Sequence, residues 1–252
     1  MNILHAIILG IVEGLTEFLP ISSTAHLIIA NKLFGLAESD FLKSFDIYIQ
    51  LGAILAVIVL YAKKLLISRK LFMRVACAFV PTAIIGLVVY PLVKNYLLGN
   101  LLITALALII GGIVMILFEK FFKARGQNEN ISYRQSIGVG FFQALAVIPG
   151  VSRSAATIIG GQALGLSKKT IVEFSFLLAI PTMAAASGLD IIKSNASFSA
   201  YEWQLLAIGF ISAFLTALIA IRAFLRYIEK HSFSSFGWYR IVIGILIILF
   251  LI

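Results

Sequence analysis

The segment EGLTEFLPISSTAH, residues 13–26, sets two carboxylates, Glu13 and Glu17, four positions apart and follows them with Ser22, Ser23, Thr24 and His26. On a helix, a spacing of four puts both carboxylates on one face, within reach of a single ion. Like charges that close, away from water, cannot both stay ionised unless a cation lies between them. Either one is protonated, or a hard ion such as Mg2+ or Ca2+ is bound through oxygen, with Glu13 and Glu17 as its ligands. Ser22 and Ser23 precede His26 by four and three residues, and either spacing allows a Ser–His hydrogen bond across one turn. The imidazole could take a serine proton, attack an electrophile itself, or only bind. A satisfied core histidine is the plain alternative, and it is the reading preferred for His5 and His231, which have no comparable neighbours.

A second polar segment, PGVSRSAAT at residues 149–157, has a different logic. Pro149 and Gly150 stop one helix, and Ser152 is placed to cap the next, whose first backbone N–H groups then form an anion site. Arg153 adds a planar fork that matches phosphate oxygens, and Ser154 and Thr157 can donate further hydrogen bonds. The segment reads as a phosphate cradle.

Both segments lie in a strongly apolar chain. Of 252 residues, 61% are hydrophobic and 12% charged, and the mean hydropathy is +1.06. That excludes an ordinary soluble domain and implies an all-α polytopic membrane protein. Uninterrupted apolar runs at about 45–62, 75–93, 101–118, 171–192, 204–221 and 237–252 predict six transmembrane helices. The apolar regions 3–34 and 135–165 carry Pro, Gly, Ser and charge in mid-run. They predict two re-entrant pairs of broken helices, which are tolerated where protein buries the irregular backbone or where it lines a wet cavity. The N-terminal MNILHAIILG lacks the basic leader of a secretory signal and is read as part of the mature chain. The single Cys77 sits in an apolar run, so neither a disulfide framework nor a cysteine metal site is expected.

The net charge of +9 would suggest nucleic acid in a soluble protein, but here the cations fall in short loops. Fifteen of the twenty Lys and Arg fall on one side if Arg240 starts the last span on that side, with Lys123 and Arg125 also counted there. That is the positive-inside pattern, so nucleic acid is not expected as a partner. The first broken region then enters from outside and the second from the cytoplasm. Trp203 and the pair Trp238–Tyr239 fall at expected interfaces.

The two polar segments also align. Residues 10–26 set above 140–156, an offset of 130, match Gly10 with Gly140, Leu15 with Leu145, Ser22 with Ser152 and Ala25 with Ala155, and place Glu13 opposite Gln143. Each segment is a broken region followed by three spans. An odd number of crossings inserts the second copy upside down, which agrees with the charge distribution. The expectation is a single membrane domain built from two inverted repeats, about 1–125 and 131–252, whose broken regions meet inside the bilayer.

That meeting would join Glu13, Glu17, Ser22, Ser23, Thr24 and His26 to Gln143, Ser152, Arg153, Ser154 and Thr157. Ionisable groups at membrane depth cost about 2.5–3.5 kcal/mol each and default to a functional reading. A structural Glu–Arg pair pinning the broken helices would need one carboxylate and no cluster of hydroxyls. A secondary transporter or lipid flippase would use the same architecture, but a Ser–His pair beside an arginine cradle exceeds its needs. An intramembrane serine protease would have little use for two carboxylates and a phosphate arginine.

In combination, EGLTEFLPISSTAH and PGVSRSAAT resemble the motifs of the undecaprenyl-diphosphate phosphatase family of bacteria, also described as bacitracin-resistance proteins. The resemblance covers the length and order of the whole chain. It departs at Ala25 and Ala155, where the family usually has Gly, at matching positions of the two repeats. The resemblance implies hydrolysis of a polyprenyl diphosphate lipid to the monophosphate, recycling the lipid carrier of peptidoglycan synthesis, with a divalent cation, Mg2+ or Ca2+. It implies Ser23 as the nucleophile with His26 as its base, Glu13 and Glu17 as the acidic motif, and Arg153 as the phosphate-binding arginine. Ser22, Thr24, Ser152, Ser154 and Thr157 would add polar contacts to the phosphates. It also implies a multi-pass protein of the inner membrane, an outward-facing site and a homodimer.

Overall fold

Serines start most of the helices, each by accepting a backbone N–H that the first turn would leave unpaired. The computed structural model describes residues 1–97, 99–121, 128–193 and 198–252. The order is α1 (Ile3–Thr16), α2 (Ser23–Leu33), α3 (Asp40–Ile67), α4 (Arg69–Leu92), α5 (Leu101–Phe121), α6 (Tyr133–Ala144), α7 (Arg153–Ala163), α8 (Lys168–Lys193), α9 (Ala200–Lys230) and α10 (Ser234–Phe250). A π-helical turn, Val93–Leu97, continues α4, and a 3-10 turn, Leu145–Val147, continues α6. Ser39 and Ser68 cap α3 and α4. Ser132 with Gln135, and Ser199 with Glu202, form reciprocal capping boxes at α6 and α9.

Among the described residues, five helices are long and apolar enough to cross a membrane: Asp40–Lys64, Arg69–Leu92, Leu101–Phe121, Lys168–Gly188 and Ala200–Lys230. The sixth expected span is α10, an apolar helix of 17 residues, about 25 Å long at 1.5 Å per residue. The two regions read as broken are helix–break–helix pairs, α1 with α2 and α6 with α7. The element order is therefore the same in each half, a broken pair followed by three helices. The charged positions Lys123 and Arg125, and the expected repeat boundary near 125, lie outside the described residues.

The halves interdigitate. The first helix of each broken pair packs on the middle long helix of the other half, α1 on α9 and α6 on α4. Small residues make this possible, as is usual where lipid supplies no hydrophobic drive between helices. A Cβ on Gly10 would sit 2.5 Å from the Gly209 carbonyl oxygen, and one on its counterpart Gly140 would run into the Ala78 carbonyl oxygen. The third long helices, α5 and α10, pair through Gly112 and Gly237, where a Cβ on Gly112 would lie 2.5 Å from the Gly237 carbonyl.

One cation of the charge distribution belongs elsewhere. Arg240 is fully buried and bonded to the loops of both broken pairs, so it does not mark a cytoplasmic helix end. Tyr239 beside it is bonded to His26, not free at an interface, whereas Trp238 is exposed.

Candidate active site

Each broken pair turns on a serine in an unusual backbone state. Beyond α1, the chain passes Pro20 and reaches Ser22 at φ +71°. Beyond α6, it passes Pro149 and Gly150 and reaches Ser152 at φ +72°. Among the described residues these are the two non-glycine positions with positive φ, and they are the pair matched at the offset of 130. Such a state costs of order 1–3 kcal/mol and persists where the surroundings enforce it, often at functional sites. Each serine directly precedes a helix of eleven residues, α2 or α7. Ser22, Ser23, Ser152 and Arg153 line one cavity of about 280 Å³ between the breaks. Two positive helix ends therefore border the same space.

Arg153 and Glu17 join the halves across that cavity. Nη2 of Arg153 donates to Glu17 Oε1 at 2.8 Å, and Nη1 donates to the Ser175 carbonyl at 2.9 Å. The guanidinium lies 5.7 Å from the Phe18 ring centroid. Both side chains of the ion pair are largely buried, 11% and 8% exposed, so its geometry has to compensate the cost of removing two charges from water. The other oxygen of Glu17 is also used: Ser23 Oγ donates to Oε2 at 2.5 Å. Ser23, Glu17 and Arg153 thus form one continuous chain of hydrogen bonds.

The Ser–His hydrogen bond expected from spacing is not formed. His26 Nδ1 lies 2.8 Å from the Ser22 carbonyl and Nε2 lies 2.7 Å from the Tyr239 hydroxyl. A carbonyl only accepts, so in the neutral ring Nδ1 carries the hydrogen and Nε2 accepts from Tyr239. Ser23 is the first residue of α2, and the break loop brings Glu17 back to its hydroxyl before a helical neighbour can reach it. His26 instead ties the strained Ser22 turn to α10.

Thr24 also lines the cavity. Ser154 and Thr157, expected in the cradle, do not line it. Ser154 Oγ donates to the Phe18 carbonyl at 2.9 Å, and Thr157 Oγ1 lies 2.7 Å from Ser175 Oγ. Three apart, they share the buried face of α7 and hold it to its neighbours. Gln143, the counterpart of Glu13, lines the cavity and donates to Thr82 and Thr182.

Glu13 is fully buried, and both its carboxylate oxygens lack a hydrogen-bond partner among the described residues. Glu17 and Asp46 act on it electrostatically. Two such oxygens in a water-poor interior call for a proton or a hard cation. Among the described residues no three His, Cys, Asp or Glu side chains converge as a metal-holding group. An ion like Mg2+ takes one or two carboxylates and leaves its other positions to water and phosphate oxygens. Glu13 is not among the residues lining the cavity and both Glu17 oxygens are engaged, so such an ion would need Arg153 to release Glu17 first. The sequence reading does not single out Asp46 or Ser175 and takes Tyr239 only as an interface aromatic, because each gains its meaning from a helix distant along the chain.

The chain is similar to known proteins over most of its length. The family model described as bacitracin resistance protein BacA matches residues 6–246. A protein of Aquifex aeolicus named undecaprenyl-diphosphatase is 51% identical over 244 residues, covering 96% of this chain and 95% of its own. Proteins of the same name from Wolinella succinogenes and Methanococcus aeolicus are 47% and 44% identical, the first covering 100% of this chain and 99% of its own, the second 100% of each.

Proposed function

The chain belongs to the bacitracin resistance protein BacA family, and from that membership we propose that the cavity between its two broken helix pairs is an undecaprenyl-diphosphatase site. The protein is a multi-pass membrane hydrolase that converts undecaprenyl diphosphate to the monophosphate and phosphate, returning the lipid carrier to cell-wall synthesis. The observation that carries the site assignment is the chain Ser23–Glu17–Arg153 at a cavity bordered by two helix N-termini.

The diphosphate enters the cavity while its prenyl chain stays in lipid. Arg153 moves one donor from Glu17 to a phosphate oxygen, and the backbone N–H groups at the starts of α2 and α7 take others. The exchange vacates Oε1 of Glu17, while Oε2 keeps its bond to the Ser23 hydroxyl and accepts that proton. Ser23 Oγ attacks the terminal phosphorus, and the bond from that phosphorus to the bridging oxygen breaks. The monophosphate lipid leaves with the bridging electron pair. The leaving lipid phosphate takes the Ser23 proton from Glu17, which then deprotonates the water that cleaves the phosphoserine, and the departing Ser23 oxygen regains the proton from Glu17 as phosphate is released. Glu13 with Glu17 would hold a divalent cation, Mg2+ or Ca2+, which when bound supplies neutralisation of phosphate charge. His26 serves as a positioning residue through Ser22.

The role in recycling a cell-wall lipid carrier supports a cytoplasmic (inner) membrane location, the charge distribution supports a site reached from the outer face, and the shared offset supports two inverted halves, about 1–125 and 131–252. A homodimer is the assembly to look for, by mass in detergent. A flippase is not favoured, since transport has no need of a hydroxyl held on a carboxylate.

The experiment is phosphate release from undecaprenyl diphosphate by purified protein in detergent, with and without a chelator. Release that vanishes in Ser23→Ala and Arg153→Ala while both variants stay folded is the expected result. A near-normal rate in Arg153→Ala would sink the site assignment.

A further inference from the structure

Arg240, on α10, takes no part in the chain Ser23–Glu17–Arg153, yet it is the largest fully buried side chain among the described residues. Its guanidinium donates to five carbonyls. Nη1 reaches Pro20 at 3.2 Å and Val151 at 2.9 Å; Nη2 reaches Gly150 at 3.0 Å and Ala107 at 3.2 Å; Nε reaches Leu108 at 3.4 Å. Among the described residues no carboxylate pairs with it. The charge is held by carbonyl dipoles alone, in a space that Gly111 leaves open, since a Cβ there would collide with Nη2. Apolar side chains would hold three helices together without the cost of burying a charge, so this arrangement asks for a use of the charge and of its directions.

The directions supply one. No peptide bond among the described residues is cis, so each N–H points opposite to the carbonyl of the same peptide. With the Gly150 and Val151 carbonyls turned onto Arg240, the amide hydrogens of Val151 and Ser152 point away from it. That of Val151 closes the turn on the Ile148 carbonyl at 3.2 Å. That of Ser152 belongs to a residue that lines the cavity.

We propose that Arg240 is a positioning residue of the phosphate site, turning the Ser152 amide toward the bound diphosphate and fixing the Pro20 and Gly150 loops against each other from behind. Its uncompensated charge also adds a positive potential that favours a multiply charged headgroup. The inference rests on the phosphatase reading.

The test uses Arg240→Lys, Arg240→Met and Gly111→Ala, compared with the unaltered protein in phosphate release, in calorimetric binding of inorganic pyrophosphate, and in thermal unfolding. Arg240→Lys keeps the charge but not the five bonds. It should raise KM and weaken pyrophosphate binding about tenfold each, with kcat within about threefold, because Ser23 and Glu17 are untouched. Arg240→Met should lose about a hundredfold in both binding measures. Gly111→Ala presses only on the guanidinium and should weaken pyrophosphate about tenfold at an unchanged melting temperature. A purely structural role would lower the melting temperature and leave KM and pyrophosphate affinity alone. Pyrophosphate affinity within threefold of the unaltered protein in Arg240→Met overturns the proposal; if that variant does not fold, Gly111→Ala decides by the same criterion. If the unaltered protein releases no phosphate, the phosphatase reading has failed, and pyrophosphate binding still decides whether Arg240 shapes an anion site.

Discussion

Ser22 and Ser152 hold the same left-handed backbone angle, φ +71° and +72°, each one residue before a helix that opens on the cavity. They differ in their side chains: Ser152 Oγ accepts the Ala155 N–H at 3.2 Å, whereas Ser22 makes no capping bond. Glycine removes the steric cost of this angle, so Ser22→Gly should stabilise the protein by about 1 kcal/mol in thermal unfolding. Ser152→Gly, which also loses a cap, should gain less. A destabilised Ser22→Gly would mean that the turn is not strained.

The buried Glu17–Arg153 pair should be strongly non-additive. Glu17→Gln or Arg153→Gln alone leaves one charge without its partner and should cost about 3–5 kcal/mol. The double variant should cost clearly less than the two together. Unfolding in detergent measures the cycle, and phosphate release should fall by at least about a thousandfold in Glu17→Gln, which removes both base and ion pair.

The roles of His26 separate by substitution. If it positions the Ser22 turn, Gln at 26 can still donate to the Ser22 carbonyl and should retain measurable phosphate release that Ala loses. Tyr239→Phe, which removes one hydrogen bond to the ring, should cost about 0.5–1.5 kcal/mol in stability. A Gln variant as inactive as the Ala variant returns the imidazole to proton transfer.

Metal binding can be read without turnover. With Mg2+ or Ca2+ at about a hundred times its dissociation constant, thermal unfolding should shift by the equivalent of about 2.7 kcal/mol. Glu13→Gln should abolish that shift, and a chelator should abolish phosphate release in the unaltered protein. An unchanged shift in Glu13→Gln would place the ion elsewhere.

Much of this architecture could be read in advance, because membrane depth enforces it. Uninterrupted apolar runs must cross, and Pro, Gly and charge in mid-run must break, so α3–α5, α8 and α9 and both broken pairs were legible. The single offset that pairs Gly10 with Gly140 and Ser22 with Ser152 also marked where the halves meet, which brought Glu17 and Arg153 into one site. Helical spacing was a poorer guide to hydrogen-bond partners. It allowed Ser23 to reach His26, but Ser23 opens α2, and the loop before it returns Glu17 to the hydroxyl. Counting loop cations assumed that each sits in water, which fails for Arg240 because five carbonyls replace the water. Ser154 and Thr157 were misplaced for a similar reason: their types suit phosphate, but their face of α7 is turned toward Phe18 and Ser175.

The packing of α1 on α9 has a consequence for biogenesis. The ribosome delivers α9 about two hundred residues after α1, roughly 10–40 seconds later at ordinary elongation speeds. Through that interval the face of α1 that carries Gly10 and Gly14 lacks its partner helix, and for much of it Glu17 has no Arg153 to pair with. The nascent first half therefore waits at the membrane as a chemically silent fragment. Hydrolytic competence waits for the second half, which brings Arg153 to Glu17 and α9 to the face of α1.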